Sequence, residues 1–136
     1  MIVADTSGLL ALFNGAEPHH GAVARVVADE PDPIVVSPYV AAELDYLIAT
    51  RVGPRAAVAV LRELAGGAYL LPCLDGDDLA VIGDVMERYA DLELGLTDAS
   101  LIVLADRYAT TRILTLDRRH FDAVRTLAGD AFSRLP

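Results

Sequence analysis

The chain contains no lysine, and that absence removes two function classes at once. A P-loop nucleotide hydrolase needs the lysine of its G-x-x-x-x-G-K-[ST] loop to reach the phosphates. A phospho-receiver domain, also a small α/β fold with acids at its strand ends, needs a lysine at a later strand end. There is a single cysteine, Cys73, so no intrachain disulfide can form, and no Cys/His spacing resembles a zinc site. Lying in the apolar run 69–74, Cys73 is expected to act as a small buried hydrophobe. No apolar run approaches the roughly 18–20 residues that a membrane span requires. Met1-Ile2-Val3-Ala4-Asp5 has no basic region and too short an apolar stretch for a secretory leader. A soluble cytoplasmic domain without membrane contact is the expectation.

What is present suits one ordinary domain, residues 1–136, with 54 % hydrophobic residues and a positive mean hydropathy. The net charge of −9 opposes any function that grips nucleic acid by its phosphates, since such proteins are usually basic. Two features offset it. A carboxylate cluster that holds a cation adds negative charge by its nature. The positive charge is also unevenly placed: Arg107, Arg112, Arg118, Arg119, Arg125 and Arg134, six of the eleven arginines, fall in the last thirty residues.

Strand and helix patterns alternate along the chain. Short apolar strands are predicted over 2–5, 34–36, 68–71 and 112–116, with a possible edge strand over 131–135. Helices are predicted around 9–13, over 18–28, from Ser37 to about Thr50, from Pro54 to about Ala65, over 75–89, from Thr97 to about Tyr108, and over 118–127. Ser37 is the expected N-cap of its helix with Pro38 at the first turn, and Thr97 is the expected cap of another. Continuous apolar strands alternating with helices argue for a mostly parallel sheet covered on both faces, a three-layer α/β/α sandwich.

Twenty acids are too many to be informative singly. Asp5 and Asp117 each follow an apolar strand directly. Ligands of parallel α/β sheets bind at the carboxyl ends of strands, so both acids belong to one rim, although each could equally cap the helix that follows. Glu43 lies three residues after Val40 and four before Leu47, at the edge of an apolar helical stripe, whereas Asp45 points away and reads as surface. Asp98 precedes Leu101 and Ile102 on the apolar face of its helix, and Asp106 falls off that face. Four carboxylates together raise one another's pKa unless a cation stands between them. A hard divalent ion with oxygen ligands fits, and suits phosphoryl chemistry. Arg118, Arg119 and His120 follow Asp117 directly; the two arginines are candidate phosphate contacts, with a solvated helix start as the alternative. His19 and His20 read as surface.

At these residues the sequence resembles the PIN-domain ribonucleases, specifically the VapC-type toxins of bacterial toxin–antitoxin pairs. The resemblance spans the chain. It rests on Ile2-Val3-Ala4-Asp5-Thr6-Ser7, Ser37-Pro38-Tyr39-Val40-Ala41-Ala42-Glu43-Leu44, Leu96-Thr97-Asp98-Ala99, and Leu114-Thr115-Leu116-Asp117-Arg118-Arg119-His120-Phe121, in the family's order. It implies a PIN-like fold and Mg²⁺- or Mn²⁺-dependent endonuclease activity on structured RNA such as tRNA or rRNA. It further implies a metal site of Asp5, Glu43, Asp98 and Asp117, with Thr6 orienting the first acid or a water. Its expected partners are a VapB-type antitoxin whose tail enters the active-site groove and a second copy of the chain. The rival is a catalytically silent PIN-like module that binds RNA or protein. A haloacid-type phosphatase is excluded by Ser7, which stands where that class wants a second acid.

Overall fold

The computed structural model describes residues 1–136. The β-branched and aliphatic runs do form strands: β1 (Ile2–Ala4), β2 (Ile34–Val36), β3 (Tyr69–Leu70), β4 (Arg112–Leu114) and β5 (Ser133–Leu135). They build one sheet in the order β3-β2-β1-β4-β5, every neighbouring pair parallel. Every residue of β1 and β2 is buried, as strands covered on both faces must be. The covering helices are α1 (Thr6–Phe13), α2 (His20–Ala28), α3 (Pro38–Arg51), α4 (Pro54–Leu64), α5 (Gly76–Arg88), α6 (Leu96–Arg107) and the short α7 (Arg118–Phe121). No helix is long and apolar enough to cross a membrane.

The strand order reverses at β1. The chain leaves β1 toward β2 on one side, while β4 pairs with β1 on the other. This is the switch point at which open parallel sheets form a crevice at their carboxyl ends. Asp5 sits there, its amide donating to the Leu114 carbonyl at 2.9 Å. Gly8 lets α1 lie against the same strand: a Cβ added to it would stand 2.6 Å from the Leu114 carbonyl oxygen.

Several boundaries differ from the predicted ones. β4 stops soon after Leu114: the Thr115 amide still reaches the Leu135 carbonyl at 3.0 Å, but the Leu116 amide turns to the Ser7 hydroxyl. α6 begins at Leu96 after Gly95, so Thr97 is inside the helix and not its cap. α2 begins at His20, past Pro18. The last helix ends at Phe121, six residues early; an antiparallel bridge pairs Arg125 with Ala131, and the Thr126 amide donates to the Asp130 carbonyl. Ser37 caps α3 as predicted, accepting from the Tyr39 amide at 3.3 Å. Cys73 is exposed, contrary to the expectation of burial: it lies in the loop between β3 and α5, not in a strand.

Candidate active site at the switch point

Asp5 is both the residue that ends β1 and the N-cap of α1, so the cap and the site readings hold together. Its Oδ1 accepts from the Thr6 amide at 2.6 Å. Its Oδ2 accepts from the hydroxyls of Ser7 at 2.6 Å and Thr115 at 2.8 Å. Only 5 % of the residue is exposed. Burial pushes its carboxyl pKa up, and the three donors oppose that push without overcoming it. Because both hydroxyl protons point at Asp5, Ser7 and Thr115 are left as acceptors, for the amides of Leu116 at 2.9 Å and Asp117 at 3.0 Å. Two hydroxyls thus tie the first acid to the segment that carries the fourth.

Thr6 reaches the other way. Its hydroxyl donates to Glu43 Oε2 at 2.8 Å, linking α1 to α3 across 37 positions. Glu43 is exposed while Asp45 is half-buried, the reverse of what the apolar stripe implied. α3 packs against α1, α4 and α6, so more than one of its faces is covered, and the turn that carries Ala42 and Glu43 is left exposed. Asp117 caps α7, accepting from the His120 amide at 3.2 Å. The imidazole of His120 lies between two acids, its Nδ1 3.0 Å from Asp98 Oδ2 and 3.3 Å from Asp117 Oδ2, buried and aligned for a hydrogen bond with neither.

Asp98, in the first turn of α6, feels all the others. Burial raises its pKa to about 6, helped by the Asp5 charge and then by those of Asp117 and Glu43, while His120 opposes the rise. α6 is itself fixed by a buried hydroxyl pair. Ser100 donates its proton to the Thr97 carbonyl at 2.6 Å, so Ser37 is the donor in their 2.8 Å contact. That contact joins the end of β2 to the helix that bears Asp98.

The fold therefore brings Asp5, Thr6, Glu43, Asp98 and Asp117 to one edge. No group of three or more carboxylate, imidazole or thiol side chains is arranged there, or elsewhere, to hold an ion outright. The donor chemistry nevertheless suits a hard cation. Glu43 and Asp98 each keep one oxygen free of the contacts above, and a carboxylate oxygen has lone pairs beyond one bond. Ser7, Thr115 and His120 are the residues that sequence reasoning did not assign to the site. Spacing offered a signal for two of them, a hydroxyl two positions after Asp5 and another two before Asp117. Of the basic candidates, Arg118 is exposed and without an ionic partner, and Arg119 lies 3.9 Å from Glu93. His19 is exposed as expected, but His20 is half-buried, its Nδ1 2.9 Å from the Ala11 carbonyl.

The profile of the PIN domain matches residues 2–127. The chain is 51 % identical over 135 residues to the ribonuclease VapC26 of Mycobacterium tuberculosis, an alignment covering 99 % of this chain and all of that one. The crystal structure of M. tuberculosis VapC20, described as a sarcin–ricin-loop-cleaving toxin, superposes with a TM-score of 0.81. That match covers 87 % of this chain and 91 % of the other at 24 % identity, a likeness of fold. With its parallel sheet and a full-length relative at this identity, the chain belongs to the PIN-domain family and, within it, to the VapC proteins.

Proposed function

We propose that the chain is the toxin of a VapBC-type pair, an endoribonuclease that depends on a divalent metal ion and works through Asp5, Glu43, Asp98 and Asp117. The observation that carries this reading is the meeting of four carboxylates at the sheet's switch point, where Asp98 is raised to about 6 by burial and its neighbours' charge. Like charges in that arrangement call for a cation, and oxygen donors favour Mg²⁺ or Mn²⁺. Full-length similarity to a protein named as a ribonuclease supports the activity.

When bound, the ion supplies charge that offsets the carboxylates, polarises the phosphodiester and activates water. The chain's own residues do the positioning. Ser7 and Thr115 fix Asp5 in one rotamer, Thr6 draws Glu43 toward it, and the buried Ser37–Ser100 contact sets the height of Asp98. Asp117, the fourth acid, is held at the start of α7 by the His120 amide. The reaction is hydrolysis: a water attacks phosphorus and gives up a proton, the bond from phosphorus to a ribose oxygen breaks, and that oxygen takes up a proton; one of the four carboxylates would accept the proton from water.

The toxin reading also assigns a VapB-type antitoxin and a second copy of the chain as partners. An apolar hollow of about 540 Å³, lined by Leu12, Phe13, Val27, Val60 and Tyr69, suits an apolar partner segment. Incubating the protein with total RNA and Mn²⁺ or Mg²⁺, then mapping the new ends, tests the activity and identifies the substrate among tRNA and rRNA. Cleavage should stop with a chelator and with Asp98→Asn. Metal-independent cleavage, or full activity in that variant, would overturn the metal-site assignment, and a wild type that cuts no RNA would return the chain to the non-catalytic reading.

A further inference from the structure

A second hollow, of about 440 Å³, opens beside the acids and has the opposite character. Its charged or polar lining comes from three separate parts of the fold: His19 just before α2, Arg118 at the first position of α7, and Arg134 in β5. Thr115 closes its inner end, and no Asp or Glu side chain lines it. In a chain with twenty acids and a net charge of −9, this hollow gathers two arginines and a histidine, and the one carboxylate paired with them, Asp122 on Arg134, lies outside its lining. Thr115 places it, because this lining residue also donates its hydroxyl to Asp5 Oδ2, and Arg118 directly follows Asp117.

We propose that this hollow is a subsite for a backbone phosphate of the RNA, next to the bond that is cut; the assignment rests on the ribonuclease reading above. Arg118 is exposed and has no ionic partner, so its guanidinium fork is available to an anion. Arg134 is pre-positioned: its Nε is engaged by Asp122, which steadies the side chain and leaves both terminal nitrogens to donate. His19 adds a ring nitrogen from the facing side. The volume falls in the range of about 300–1,000 Å³ of pockets that take whole ligands, so it has room for a phosphate together with its flanking sugars. RNA would then run from the acids toward the β5 edge of the sheet, past Arg118, and away from Arg119 and Glu93.

The test uses the full chain with Mn²⁺ and a labelled single-stranded RNA that the wild type cuts, with kcat and KM measured across a salt series. Arg118→Ala and Arg134→Ala should each raise KM about five- to tenfold and leave kcat within about threefold. Each should also flatten the plot of log(kcat/KM) against log[salt] by about 0.7, the value of one single-strand phosphate contact. His19→Ala should raise KM less, by about threefold. Arg51→Ala, at the far end of α3, should match wild type. Asp122→Asn removes the charge of the pair but keeps the guanidinium and an amide oxygen to hold its Nε; it should leave KM near wild type, whereas a merely structural role for the ion pair would make this variant and Arg134→Ala alike. Unchanged KM and salt slope in both arginine variants, with the wild type active, overturns the subsite alone. So does a loss confined to binding of an acidic protein partner. A wild type that neither binds nor cuts RNA overturns the subsite and the ribonuclease reading together.

Discussion

Asp98 is where the electrostatic load of the crevice is concentrated, and it gives the fold a pH dependence of definite sign. A free aspartate titrates at 3.8, and this one is held up to about 6. The folded chain therefore keeps a proton that the unfolded chain gives up. The resulting penalty grows as pH rises from the lower value through the higher and is complete above it, an effect of at most about 3 kcal/mol for a shift of this size and less for a carboxyl that solvent partly screens. Asp98→Asn removes the penalty. Urea unfolding in a chelator should find the variant more stable than wild type by on the order of 2 kcal/mol at pH 8 and equal to it near pH 3.5. A variant less stable at pH 8 would show that Asp98 contributes favourable contacts when ionised. The same substitution is expected to abolish cleavage, so stability and activity should move in opposite directions. Asp98 and Asp106 differ as their helix positions implied, half-buried against exposed, although α6 is buried on every side from Ala99 to Ala105 and ends its burial only at Asp106. Glu43 and Asp45 do not, because α3 is covered on several sides and open just where Glu43 stands. The hydroxyl support of Asp5 was only partly legible: Ser7 stands two positions on, but Thr115 lies 110 positions away and only the β1–β4 pairing brings it near.

Elements were legible where hydrophobic pattern and capping agree, as at β1, β2 and the Ser37-Pro38 start of α3. They were misjudged where other bonds end an element before its apolar pattern runs out, a side-chain acceptor at β4 and a backbone bridge beyond α7. Two backbone features test this scale. α6 ends with the Thr110 amide donating to the Ala105 carbonyl at 2.9 Å and the Ala109 amide to the Asp106 carbonyl at 3.0 Å. Those paired bonds place Ala109 at φ 48°, the left-handed region that favours glycine. Ala109→Gly should raise stability by about 0.5–1 kcal/mol, visible as a higher melting temperature with unchanged activity. Gly8 is the opposite case. The close approach of α1 to β4 leaves no room for a methyl group, so Gly8→Ala must push α1 off the strand that anchors Asp5. A loss of about 2–3 kcal/mol is expected, with activity falling further than the unfolded fraction explains. Activity that tracks only the folded fraction would show that the crevice tolerates the displacement.

At the scale of the whole molecule, the alternating pattern was enough to foresee a parallel sheet, and the strand order then explains why acids far apart in sequence share an edge. Net charge was the harder matter. A value of −9 argues against nucleic acid when averaged over the surface, yet the acids at the switch point and the arginines beside them are separate regions. Without a cation the acidic region should repel RNA while the basic hollow attracts it. Salt weakens both effects, so affinity in a chelator should be low and nearly independent of salt. With Mn²⁺ present the repulsion is neutralised, and affinity should rise and acquire the steep negative salt dependence of phosphate contacts. Charge removal should imitate part of this. Like charges about 4 Å apart in water repel by about 1 kcal/mol, roughly fivefold in binding, so Glu43→Gln with Asp98→Asn should strengthen chelator-state RNA binding at least fivefold. Fluorescence anisotropy with a labelled RNA in EDTA reads this directly. Tighter binding by a variant that cannot cut would locate the repulsion at these carboxylates, and unchanged binding would place it elsewhere on the acidic surface.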